Sequence, residues 1–413
     1  MSQPKSPKPK MATIREIYDR ILWDSRLDHR AFSLGFSDRI SGNMREKRLS
    51  EWAVDGDIPW HRIRYVKCAE TIVWDRDRLI DLFTTGQLPV AAWVVATENA
   101  ESANQQPQIY PHLSPPTLVA NFPTRSIYQY YQQNWQAIDL SLESVSVTSL
   151  KIVSYNVLSD LYESEQTQTA QRIPIIIEHL RQCDADIIAL QEVTPRLLKI
   201  LLAQDWVQAY HISESPQGET LEWHGLLLLS RLPFTLVEYR YSPRKRVLVG
   251  KWLLNGKTLN VAAVHFTSDY NKDSEKVRSK QLTILLEYLN SQPGDCLIVG
   301  DFNAKDNEPA EILTQNNFID IWQILHPEDP GYTFHPQANP LAALMSRTGL
   351  AARLDRMMLR SQNRDWISRN IELFACNPIP DTEGKIYPSD HFGLLTQLES
   401  IDYLQSKIGR AHV

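Results

Sequence analysis

No run of 18 apolar residues occurs anywhere in this 413-residue sequence, which excludes a helix crossing a bilayer. The opening MSQPKSPKPK is basic and proline-rich with no apolar segment behind it. That excludes a secretory leader and leaves residues 1–10 as an expected disordered tail. Cysteine is scarce: Cys68, Cys183, Cys296 and Cys376 are scattered without metal-ligand spacing. They read as small buried residues in a reducing compartment, so a cytoplasmic location is expected. Nor is there a strong charge of either sign. The net charge is −6, and residues 150–399 hold no basic stripe that would exclude a small phosphate substrate.

Hydrophobic residues make up 43% and charged residues 22%, the balance of an ordinary globular chain long enough for two or three domains. The charge is unevenly shared. Residues 1–83 carry 16 Lys and Arg against 13 Asp and Glu, and the remainder carries 27 against 36. A mildly basic small part beside an acidic larger one fits a polyanion-binding module joined to a metal site.

Ile14, Ile17, Ile21 and Leu22 follow helical spacing and predict an amphipathic helix over 13–23. Short extended segments follow, separated by Gly42 and Gly56, with RIRYV and TIVW alternating as strands. The result is a small α+β module over residues 11–83. Arg39, His61, Arg62 and Arg76 lie in sequence among Trp60 and Trp74, a mixture suited to gripping phosphate and stacking on bases. Scattered surface ion pairs would account for the same residues. The runs IREIYDRILWD, SDRISG, IPWHRIRYV and VWDR together resemble an RNA cyclic-group end-recognition domain. The resemblance implies a module that binds RNA ends carrying a cyclic phosphate.

Residues 84–148 change character. ATENAESANQQPQIYPHLSPP is polar and aperiodic and reads as linker. SIYQYYQQNWQ could be a helix or a strand packed on the next domain.

The larger domain is organised around CLIVGDFN, residues 296–303. Cys296 to Val299 read as a strand buried on both faces, with Gly300 expected to end it in a turn. Asp301 and Asn303 would then project beyond the strand, where a carboxylate can accept a proton from water and a carboxamide can donate to a phosphate oxygen. The same layout recurs. LKIVSYNVL places Asn156 near a strand end, ADIIALQEV ends in Glu192, and a strand after the Asn255-Gly256 hairpin signal ends in His265. Residues 274–292 have helical periodicity, Asp355 lies in a strand over 351–360, and Asp390-His391 stands in a turn just before a last strand. Oxygen donors with histidine nitrogens and no thiolate suit Mg²⁺ or Mn²⁺ rather than zinc.

Spelled SYNVL, LQEV, VHFTS, GDFN, RLDR and SDHFG, the set resembles the endonuclease/exonuclease/phosphatase superfamily with its DNase I-like fold, over residues 150–399. LQEV, YTF, RLDRMMLR and PSDHFGLL are most similar to its tyrosyl-DNA phosphodiesterase type 2 branch, although Phe302 stands where that branch has threonine. The resemblance implies an α+β fold, a four-layer α/β/β/α sandwich over 149–400. It also implies Mg²⁺-dependent hydrolysis of phosphoester bonds at nucleic-acid ends. By motif, Glu192 would hold the metal with Asn156 and Asp390, and Asp301 would orient or deprotonate water, assisted by Asn303. His391, held by Asp355, and His265 would contact phosphate oxygens. Two alternatives stand beside this: a hydrolase of small or lipid phosphates, and a non-catalytic RNA-binding scaffold, against which the complete acidic set argues. The terminal KIGRAHV has no periodicity and resembles a translated sequencing adapter, so residues 401–413 are expected to be a truncated or artefactual end beyond which the natural protein continues.

Overall fold

The computed structural model describes residues 12–23, 27–37, 44–49, 62–85, 87–93, 121–139, 141–161, 167–221, 224–242, 245–269, 273–305, 307–362 and 365–401. The expected tail at 1–10 lies outside these, as does that at 401–413 except for Ile401, whose N donates to Asp365 O at 3.0 Å. The chain divides into two units, Met1–Ser114 and Pro115–Val413.

In the first unit, helix α1 (Ile14–Trp23) buries Ile14, Ile17, Tyr18 and Ile21, the face that helical spacing predicts. They pack on an antiparallel sheet of β1 (Phe32–Ser37), β2 (Met44–Arg48), β3 (Ile63–Cys68), β4 (Thr71–Asp75) and β5 (Ile80–Asp81), in the order β2-β1-β3-β4-β5. Strand alternation sends Phe32, Leu34 and Phe36 into that core. Residues 87–93, placed in the connector by sequence, belong to this unit. Asp28 N donates to Ala92 O at 2.9 Å, and Leu88 and Trp93 pack against the core.

The second unit is built on two sheets. The first holds β7 (Ile127–Tyr131), β8 (Asn134–Ile138), β9 (Ser149–Asn156), β10 (Ile187–Val193), β11 (His211–Ile212), β12 (Gly225–Ser230), β19 (Trp366–Phe374) and β20 (Gly393–Ser400). Their order is β19-β20-β9-β10-β12-β11-β7-β8. The second holds β6 (Thr124–Arg125), β13 (Thr235–Ser242), β14 (Lys245–Leu254), β15 (Lys257–His265), β16 (Asp295–Asp301), β17 (Ile319–Asp320) and β18 (Asp355–Arg360), ordered β17-β18-β16-β15-β14-β13-β6. The two sheets share one apolar core, in which Ile152, Ala189 and Leu228 meet Trp252, Val261, Val299 and Met357. Two helices, Thr169–Cys183 and Pro195–Leu202, cover the outer face of the first sheet, and Ser274–Asn290 covers that of the second. This is the four-layer α/β/β/α sandwich.

The aromatic, glutamine-rich stretch is a hairpin, β7–β8, that extends the first sheet, and β6 edges the second. Positive φ at both Gln132 and Gln133 gives it the tight turn whose twist matches paired strands. Asn255 and Gly256, with φ of 53° and 76°, make the same kind of turn between β14 and β15. Gly300 does not end its strand: β16 runs through it to Asp301. Its φ is 137°, and a Cβ there would lie 2.0 Å from Val264 O, so the glycine permits close contact with β15.

Chain direction explains where the polar residues gather. β9 and β10 are parallel, as are β15 and β16, with helices Thr169–Cys183 and Ser274–Asn290 as their crossovers. Their C-terminal ends therefore share a rim, the usual ligand position in such units. The antiparallel strands β18 and β20 start there, so Asp355 faces Asp301 across the sheet and Asp390-His391 directly precedes β20.

Candidate active site

Asn156 ends β9, and its Nδ2 donates to Asp301 Oδ2 at 3.1 Å and to Glu192 Oε1 at 3.4 Å, joining one sheet to the other. Its Oδ1 accepts Leu158 N at 3.1 Å. Glu192 sits where the register of β10 against β12 shifts, with φ of 63°. This bulge turns its carboxylate to the rim, where Oε2 accepts Ser159 N at 2.9 Å. Asp301 Oδ1 accepts Asn303 N at 2.8 Å and Oδ2 accepts Asn303 Nδ2 at 3.0 Å. Asn303 Nδ2 also donates to Phe266 O. Between them, Phe302 is fully buried with its ring against Phe266, so the residues on either side face the rim. His265 Nε2 lies 3.6 Å from Asp301 Oδ2 and 3.9 Å from Glu192 Oε1. Asp355 Oδ2 and His391 Nδ1 share a 2.7 Å hydrogen bond, and Thr333 Oγ1 accepts Asp355 N at 3.0 Å. Asp390 is buried beside them. All eight rim residues singled out from the sequence thus come to one end of the sandwich.

The profile of the Endonuclease/Exonuclease/phosphatase family matches residues 153–391, more than half of the chain and every one of these eight positions. The chain belongs to this family. The profile of the MJ1316 RNA cyclic group end recognition domain matches residues 11–76. Among curated proteins, tyrosyl-DNA phosphodiesterase 2 of Bos taurus is 27% identical over 240 residues, covering 55% of this chain and 62% of that protein. The Homo sapiens protein of the same name is 25% identical over 244 residues, covering 56% and 64%. The match thus spans just under two thirds of these relatives. A crystal structure of D. rerio TDP2 complexed with single strand DNA product shares the fold, at a TM-score of 0.50 and 21% identity, covering 61% of this chain and 99% of that one.

The charges at this family member's site are finely divided. Burial works against Glu192's ionisation, but His224, the Ser159 amide, His391 and Lys245 together hold it below the usual carboxylate range. Burial pushes Asp301 up to about 7, with Asp355 adding to the rise, and pushes Asp390 up to about 6, with Glu192 adding. Burial also disfavours the His391 cation, yet Asp355, Asp390 and Asp301 outweigh it and keep that imidazole well above the ordinary range. His265 falls well below it, first through burial and then through the neighbouring Lys245, His224 and His391. At neutral pH the site therefore pairs a charged Glu192 with a cationic His391 and a neutral His265.

Several participants escaped the sequence reading. Lys245 is buried at the start of β14, its Nζ donating to Phe266 O at 2.9 Å, and burial drops its pKa to about 8. His224 stands 5.9 Å, ring to ring, from His265. It precedes an apolar strand just as the chosen residues end one, a signal that was available. Ser389 and Thr333 hold the backbone near His391 and Asp355.

The first unit corrects one assignment. Trp74 is a core residue, 2% exposed, with Nε1 donating to Ala12 O, so its ring is not open to a base. Arg62 turns Nε and Nη2 onto Ser37 O, a structural bond that engages its fork. Arg76 follows β4, half-buried. Arg39, Trp60 and His61 lie outside the described residues.

Proposed function

We propose that this protein hydrolyses phosphoester bonds at nucleic-acid ends, RNA ends in particular, with a divalent cation, Mg²⁺ or Mn²⁺. One observation supports it above the others: three buried carboxylates, Asp301, Asp355 and Asp390, and the partly exposed Glu192 converge with two histidines and two carboxamides where parallel strands end. The donor set fits a hard cation. Asp355 Oδ1 is buried without a hydrogen-bond partner, and burial, with a neighbouring carboxylate adding in each case, raises Asp301 and Asp390. Asp301, Asp355 and His391 each offer a ligand atom within 4.8 Å of one another, but His391 Nδ1 and Asp355 are already bonded together. Glu192, with Asn156 and Asp390 beside it, is the better seat for the ion. When bound, a divalent cation supplies Lewis-acid polarisation of a phosphoryl oxygen.

The chain's own groups do the rest. Asp301, titrating near neutrality and oriented by Asn156 and Asn303, takes the proton of an attacking water. His391, fixed by Asp355, presents a positive N–H to a non-bridging phosphate oxygen, and His265 offers a neutral one. The small unit supplies end recognition. The proposed substrate class follows from its family match and from the named activity of the tyrosyl-DNA phosphodiesterase relatives.

The test is turnover of oligonucleotides ending in a 5′-tyrosyl, a 3′-phosphate or a 2′,3′-cyclic phosphate, with Mg²⁺ and with EDTA. Cation-dependent release from an RNA end, lost in Glu192→Gln while its melting temperature in EDTA stays within a few degrees of the parent's, is the expected result. Equal turnover in EDTA, or an active Glu192→Gln, would overturn the reading. Hydrolysis of small phosphates alone would point to the second substrate class.

A further inference from the structure

Helix Thr169–Cys183 buries an arginine whose donors all go to backbone. Arg172 is 0% exposed. Its Nε donates to Thr167 O at 2.7 Å. Nη1 donates to Val157 O at 3.2 Å and to Pro388 O at 2.8 Å, and Nη2 to Leu158 O at 3.3 Å. Taking a guanidinium out of water is expensive, and the usual compensation is a directly bonded carboxylate. Here burial works against the charge, while Asp390, Tyr155, Asp160 and Glu192 favour it from a distance. A methionine would fill a similar volume without that cost, so packing alone gives no reason for an arginine.

The carbonyls it binds supply the reason. Val157 and Leu158 belong to the loop leaving β9. In that loop Leu158 N holds Asn156 Oδ1 and Ser159 N holds Glu192 Oε2. Pro388 begins the turn in which Ser389 Oγ donates to Asn156 O at 2.6 Å and accepts His391 N at 3.2 Å. Leu158 has φ of 53°, a left-handed conformation that costs a non-glycine residue free energy and persists where its surroundings enforce it. One planar fork, with fixed angles between its N–H groups, thus spans two segments more than 200 residues apart in sequence.

We propose that Arg172 is a positioning residue: its guanidinium sets the 157–159 loop against the 388–391 turn, and so places Glu192 and Asn156 relative to His391. This rests on the phosphoester-hydrolase reading above. Lysine cannot replace it, because a single nitrogen does not span carbonyls held by a planar fork.

The experiment uses the full chain as Arg172→Lys and Arg172→Met, with hydrogen exchange by mass spectrometry and steady-state kinetics on bis-p-nitrophenyl phosphate in Mg²⁺. In both variants, amides 157–159 and 389–392 should exchange faster, while those of β15, β16 and helix Ser274–Asn290 keep their protection. The kcat should fall about a hundredfold, the scale of a reacting group misplaced by about 1 Å, with KM little changed. Uniform loss of protection, or failure of both variants to fold, would reduce Arg172 to a stability residue and overturn the proposal. Faster exchange of both segments at full kcat would do the same. If the parent turns over neither this diester nor the oligonucleotide ends named above while both segments still loosen, the hydrolase reading fails and the loop-setting role of Arg172 stands.

Discussion

Asp355 and His391 are joined by a 2.7 Å hydrogen bond in a fully buried setting, with Thr333 fixing the aspartate's backbone. If the carboxylate acts through the imidazole, the two behave as one device. Asp355→Asn and His391→Ala should each lower kcat by roughly 10³, and the double variant should lose little more than either alone. Multiplicative losses in a double-mutant cycle would show separate roles. Trp74 invites a different test. Buried and bonded to Ala12 O, it should behave as core: Trp74→Ala should cost about 3–5 kcal/mol and melt the first unit. Full-length Trp74→Ala that keeps its melting profile but loses RNA affinity would restore it as a stacking residue.

The elements of the site are strands that run apolar and end polar, and that pattern made most of it readable from the sequence alone. LQEV, VHF and GDFN each announce a buried strand and its polar end. What the pattern could not show is backbone geometry and buried long cations. Glu192 and Asn303 reach the rim through positive φ of 63° and 51°, and only neighbouring chains show why such conformations persist. Arg172 and Lys245 carry no periodic signature, since a charged residue on an apolar helix or strand reads as solvent-facing. The aromatic part of the connector stayed open between helix and strand for a related reason: the hairpin β7–β8 is half-exposed, so glutamines dilute its alternation. Gly300 was read as a stop because glycine commonly ends a strand, whereas here it lets β16 approach Val264 O. Gly300→Ala should therefore cost about 3 kcal/mol or more and displace Asp301, abolishing turnover. A variant melting with the parent and fully active would show that the close approach is dispensable.

Across the whole molecule, the acidic site should make stability depend on pH and cation together. Asp301 and Asp390 titrate at about 7 and about 6 in the folded chain, above the ordinary aspartate value of about 4 in the unfolded one. Between those values the folded state holds protons that the unfolded state has released, so stability falls as pH rises from about 4 to 7. His391 has the same sign from about 6.5 upward, because its folded pKa is also raised. Glu192, held low, acts oppositely: its contribution is present above about 4 and is lost as pH falls below it. His265, His179 and His211, held low by burial, oppose this trend up to about 6.5, so the cation-free protein should melt only modestly higher at pH 5.5 than at pH 7.5 at fixed ionic strength. A divalent cation binds the deprotonated carboxylates of the folded state, so it should stabilise by mass action and do so more strongly at pH 7.5. Differential scanning calorimetry with EDTA and with Mg²⁺ at both pH values measures all four states, and Glu192→Gln should remove most of the Mg²⁺ increment. A melting temperature that rises from pH 5.5 to 7.5 in EDTA, or a Mg²⁺ increment equal at both, would mean that these carboxylates are not the seat of the ion.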